Sequence, residues 1–197
     1  MHASPLRSLA AIALTLALGS TTAGCDQGDG VITGDTLAVA NCHGIHRDET
    51  WAPFRMDLVF MGIEAHKDAV LVRLATSDDR VDTTDSFGFL VPSAREVEDA
   101  IAASGEATLA FDPVHVRGSL TLLSRCDVTT PALVATNGHV TLTRFGTKKG
   151  DRLAGTLAFD VVDERTGEVV GTGFAGEFDF DVLHGLPYSP FAQRDYE

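Results

Sequence analysis

"EVVGTGFAGEFDFDV", residues 168–182, decides the fold. Side chains of an extended strand alternate between its two faces with period two. Val170, Thr172, Phe174, Gly176, Phe178, Phe180 and Val182 fall on one face. Val169, Gly171, Gly173, Ala175, Glu177, Asp179 and Asp181 fall on the other. An aromatic side backed by an acidic side is the pattern of a strand half in a core and half in water. The run is longer than the usual five or six residues of a strand, and its glycines predict a bulge or strong bend. Gly171, Gly173 and Gly176 also spell G-x-G-x-x-G. A dinucleotide site needs a helix after that motif, so that the helix N-terminus can hold pyrophosphate. Here the alternation runs on to Phe180, which excludes that reading.

The stretch before it, "DRLAGTLAFDVVD", behaves alike, with Leu153, Gly155, Leu157, Phe159 and Val161 on one face. "ERTG", residues 164–167, supplies the turn, so the two runs read as one long antiparallel hairpin. Asn137–Gly138 is the strongest short turn signal, because a type I′ turn needs positive φ at both central residues. It predicts a second hairpin joining "ALVAT" to "HVTLTRF". Further strands are expected at "TLAVANC", "RMDLVFMGI", "AVLVRLA", "ATLAFD", "VHVRG" and "SLTLLSRC". One helix is expected over "AREVEDAIAAS". Ser93 and Glu96 form its capping box, Val97, Ala100, Ile101 and Ser104 share a face, and Gly105 ends it. Many short strands with one brief helix predict an all-β fold, an antiparallel β-sandwich or an open β-barrel. A void inside a barrel would favour a small apolar ligand, and a filled interior would favour interaction at the surface. Phe174, Phe178 and Phe180 are read as core.

The chain has 197 residues, 44% of them hydrophobic and 22% charged, enough for one ordinary domain. Its net charge of −13 excludes a basic nucleic-acid face and a polybasic lipid-binding patch. No G-x-S-x-G, H-E-x-x-H or C-x-x-C-H motif occurs, so no catalytic residue and no cofactor is assigned. Asp78, Asp79, Asp82 and Asp85 lie in "TSDDRVDTTDSFG" without the calcium-loop spacing, and read as a solvated loop. "HGLPYSPFAQRDYE", from His184, has no periodicity and reads as a tail or edge cover.

The first 24 residues read as an export signal. Arg7 precedes the apolar run Leu9–Leu18, which is shorter than the roughly 20 residues a spanning helix needs. "GSTTAGC" follows. Thr22–Ala23–Gly24–Cys25 resembles a bacterial lipobox, with small residues before the cysteine and Thr22 where an aliphatic residue is usual. The resemblance implies a lipoprotein: residues 1–24 are removed, and Cys25 carries acyl chains that hold the protein on a membrane of the cell envelope. The remainder resembles the broad group of small β-domain lipoproteins. Residues 25–34, rich in Gly and Asp, read as a lipidated tether, and residues 35–197 as a single β-rich domain. The implied role is structural, interaction or ligand binding, with an envelope protein or a small ligand as partner. Asp26 resembles an inner-membrane retention signal of enteric-type sorting, a rule that is not general.

With Cys25 lipidated, Cys42 and Cys126 remain of the three cysteines. In an oxidising compartment such a pair is expected to bridge. Cys42 shares the parity of Ala38 and Ala40, and Cys126 that of Leu120 and Leu122, so both are expected to point inward. The alternative reading is a metal site built on Cys42–His43–x–x–His46. It needs a thiolate and at least a third ligand, for instance Asp48 or a distant histidine.

Overall fold

The computed structural model describes residues 27–66, 69–77, 83–112, 116–126 and 132–185. The leader, Cys25, Asp78, Asp79, Asp82 and the segment from residue 186 onward lie outside them. The described chain is all-β with one helix, in the order β1 (Gly28–Gly34), β2 (Thr36–Val39), β3 (Glu49–Trp51), β4 (Phe54–Leu58), β5 (Phe60–His66), β6 (Ala69–Ala75), β7 (Asp85–Val91), α1 (Ala94–Ser104), β8 (Ala107–Ala110), β9 (Gly118–Leu122), β10 (Leu133–Arg144), β11 (Arg152–Asp163) and β12 (Glu168–Asp181).

All pairings are antiparallel. The main ladder runs β3-β2-β12-β11-β10-β9-β7-β6-β5, with β1 bonded to both β12 and β4, and β8 to β10. β1 and β2 lie end to end along one side of β12, as β8 and β9 do along β10. The ladder does not close into a barrel. Instead β4 and β5 are separated by Val59 alone, whose N–H donates to the Ala75 carbonyl of β6 at 2.9 Å. The chain itself therefore turns the corner from the β1 side to the β6 side, as bent strands do at sheet corners.

Inward faces feed one core. Phenyl rings run through it: Phe54 lies 5.3 Å from Phe174, Phe174 stacks on Phe159 at 5.1 Å, and Phe159 stacks on Phe87 at 4.7 Å. Phe111 meets Phe87 and Phe159 edge-on, and Phe178 packs beside Phe89. These are favourable aromatic separations.

The hairpin of β11 and β12 forms as expected, turning at residues 164–167. The buried Asp163 carboxylate is held there by the Arg165 N–H and guanidinium, at 3.0 and 2.8 Å. The foreseen bulge sits at Gly173, φ 66°, whose N–H donates to Asp160 Oδ1 at 3.2 Å. A Cβ there would lie 2.4 Å from the Asp35 carboxylate. The extra residue reverses the parity locally, so Gly171 faces in and Thr172 faces out, and a second shift between Gly171 and Val169 restores it, with Val170 against the core. Helix α1 starts and stops where expected: Ser93 Oγ accepts from the Glu96 N–H, one half of a capping box, and Gly105 takes a left-handed φ of 87°. Val97, Ala100 and Ile101 pack on the core, whereas Ser104 stays exposed and bonds the Ala100 and Glu106 carbonyls.

The Asn137–Gly138 turn and the tether depart from expectation. Asn137–Gly138 is not a hairpin turn, because β10 runs straight through it for 12 residues. Asn137 takes φ 51° as the extra residue of a bulge, between Thr136 paired with Asp160 and His139 paired with Ala158. Positive φ serves a bulge as well as a turn, and the pairing of both flanks to β11 decides which forms. Residues 28–34 of the expected tether are strand β1, bonded on both sides. Just before it, Gln27 is 5% exposed. Its side-chain amide donates to the Met61 and Asp181 carbonyls, at 2.7 and 3.0 Å, and its oxygen accepts from the Met61 N–H at 3.0 Å.

Candidate functional site

The sequence-chosen residues meet in the segment after β2. Cys42 and Cys126 form a disulfide, with Cα atoms 4.6 Å apart and a sequence separation of 84. Cys42 is not brought inward by strand parity. Strand β2 ends at Val39, and Ala38 and Ala40 face solvent. Asn41 adopts φ 58°, which swings Cys42 into the core, where it is wholly buried. Strand β9 likewise ends at Leu122, and the Cys126 N–H returns to the Leu122 carbonyl at 2.9 Å.

The residues between are tied to one another. Asn41 N–H donates to Asp48 Oδ1 at 2.9 Å, and the His46 N–H donates to Asn41 Oδ1 at 2.8 Å. His43 Nε2 lies 3.5 Å from Glu49. Among the described residues no group of three or more His, Cys, Asp or Glu side chains is arranged to hold a metal ion. With Cys42 bridged, the metal reading also loses its thiolate.

Beside the disulfide sits a carboxylate that the sequence assigned to a solvated loop. Asp85 opens β7, and its side chain is 2% exposed. It accepts from Arg125 Nε and the Ser124 N–H, both at 2.8 Å. The Arg125 guanidinium lies over Phe54 at 4.9 Å and Trp51 at 5.8 Å, and donates to the Arg55 carbonyl. Charge, ring faces and disulfide thus fix the turn before Cys126.

The second candidate region is the outward face of β4, β1, β12, β11 and β10. Register aligns Asp57, Val31, Glu177, Thr156 and Thr141 across these strands, and Thr108 of β8 extends the row. Of that row, Asp57, Val31, Glu177 and Thr156 line a groove of about 560 Å³, together with Asp29 and Asp179. Arg55 bonds Asp57 at 2.6 Å, and Arg152 Nη2 bonds Asp179 at 2.9 Å. The hydrogen bond to Asp179 holds the Arg152 guanidinium above its ordinary range. Two carboxylates engaged by arginines, beside Glu177, Asp29 and threonine hydroxyls, make the groove polar. Sequence reading missed this groove. Its signal was the alternation Asp29–Val31–Thr33, hidden in a stretch where Gly28, Gly30 and Gly34 suggest a linker. On β5 and β6, burial pushes Arg73 below its ordinary range, and the Glu64 carboxylate opposes that shift.

No family model matches the chain, and no curated protein or solved structure matches it.

Proposed function

We propose that the protein is a lipid-anchored component of a bacterial cell envelope. Its β-domain works without catalysis, presenting the groove of β4, β1, β12, β11 and β10 to a polar ligand or a partner protein. One observation carries the anchoring: with Cys42 and Cys126 joined, Cys25 of the Thr22–Ala23–Gly24–Cys25 motif is the cysteine left over. A disulfide suits an exported chain, since thiols stay reduced in the cytosol. Acyl chains on one residue give stable attachment, each buried methylene adding about 0.8 kcal/mol. For the groove, carboxylates already engaged by Arg55 and Arg152 suit holding a partner better than shuttling protons.

Intact mass after extraction from membranes is the test. The expected product begins at Cys25, carries acyl mass there and has no free thiol. Cys25→Ser should leave the chain unlipidated and release it from the membrane fraction. Unmodified Cys25, or two free thiols at Cys42 and Cys126, would overturn the reading.

A further inference from the structure

Resting on that anchoring, we infer that the domain sits flush on the bilayer, the sheet end around Gln27 pressed into the phospholipid headgroup layer. The position of the first locked residue carries this. Gln27 is buried, its amide joins β5 to β12, and β1 starts at the next residue. Only Asp26 stands between Gln27 and Cys25. Two residues reach at most about 7 Å, even fully extended. The headgroup region on each side of a hydrocarbon core of about 30 Å is itself about 5 to 8 Å thick. Acyl chains on Cys25 lie in hydrocarbon, so Gln27 has no room to leave the headgroups.

The surface that surrounds Gln27 fits such a layer. Phe60, Val182, Leu183 and His184 line the cleft beside it. Leu183 is 38% exposed, a large apolar side chain facing solvent. The Val182 carbonyl accepts from Gly150 N–H, which brings the exposed Lys148 and Lys149 of the adjoining turn to the same end. Asp151 is occupied by the Lys148 N–H at 2.9 Å, and Asp179 by Arg152. Asp29 and Asp181 add exposed carboxylates. The end is therefore amphipathic rather than cationic, and suits a mixed zwitterionic and anionic headgroup layer. The short reach, rather than charge, holds it there.

The test uses the full lipidated protein in vesicles of phosphatidylethanolamine and phosphatidylglycerol. A water-soluble acylating reagent labels lysine amines, read peptide by peptide by mass spectrometry. Lys148 and Lys149 are expected to react about tenfold more slowly than in the Cys25→Ser protein mixed with the same vesicles. A flexible insert of about 20 residues after Asp26, with a mean span near 25 Å, should restore reactivity. Equal labelling of anchored and unanchored protein, with acyl mass confirmed on Cys25, overturns the flush arrangement and leaves the anchoring standing. Absence of acyl mass on Cys25 overturns both.

Discussion

β1 and β2 lie along the same side of β12, and each is locked at its outer end by different chemistry. β2 is followed by Cys42, joined covalently to Cys126 and backed by the Asp85–Arg125 ion pair. β1 is preceded by Gln27, held by the hydrogen bonds of one amide. The covalent lock acts mainly by restricting the unfolded chain and is independent of local polarity. The amide lock acts in the folded state and depends on staying dry, since a buried N–H without its partner is penalised. One lock answers to the redox state of the compartment, the other to water at the sheet end.

The largest effect should come from removing the covalent lock. Cys42→Ser with Cys126→Ser is expected to destabilise the domain by about 4 kcal/mol in urea unfolding. An unchanged midpoint would show that both locks are non-covalent in practice. Next, Asp85→Ala leaves Arg125 without its carboxylate, with a loss of about 3 kcal/mol in the same assay. If that loss disappears in the cysteine-free background, ion pair and disulfide act as one unit. Gln27→Ala strips the Met61 N–H of its acceptor and should lose about 2 kcal/mol. Faster amide exchange is expected at Met61 and Asp181, with none near Cys42.

The smallest effect lies at the turn between β11 and β12, away from both locks. Hydrogen bonds from the Arg165 guanidinium hold the Asp163 carboxyl below the usual carboxylate range, against burial, which pushes it up. A lowered folded value means that the stabilisation is complete above the unfolded carboxylate range and is lost as pH falls through the folded one. Arg165→Ala should remove under about 1 kcal/mol at neutral pH. It should also flatten the acid limb of the stability profile, measured by urea titration from pH 7 downward.

Elements whose signals are local were legible in the sequence. The alternation of β11 and β12, the Ser93 cap and the Gly105 stop depend on neighbours a few residues away. Features that depend on a distant partner were not. Asn137–Gly138 offers positive φ, and only β11 decides that the chain bulges there instead of turning. Gly28 and Gly30 made β1 look like a tether. Yet a Cβ on Gly30 would lie 2.7 Å from the Glu177 carbonyl, so glycine is what lets this strand approach β12. Asp85 read as loop because its acidic neighbours precede it, while Arg125, its partner, lies far along the chain. The disulfide was legible by counting cysteines, although the backbone reversal at Asn41 that delivers Cys42 was not.

The pairing of β1 with β12 also sets the order of events in the life of the chain. Among the described strands, the first to be synthesised has, as one of its two partners, the last. Until Glu168–Asp181 has emerged, β1 keeps an unpaired edge, and β11 lacks its longest neighbour. Such long-range pairing folds slowly, and open edges recruit other strands meanwhile. A chain that stalls before residue 168 would be an aggregation hazard, not a smaller working domain. Completion of the sheet is thus a checkpoint passed only after Glu168–Asp181 has been made.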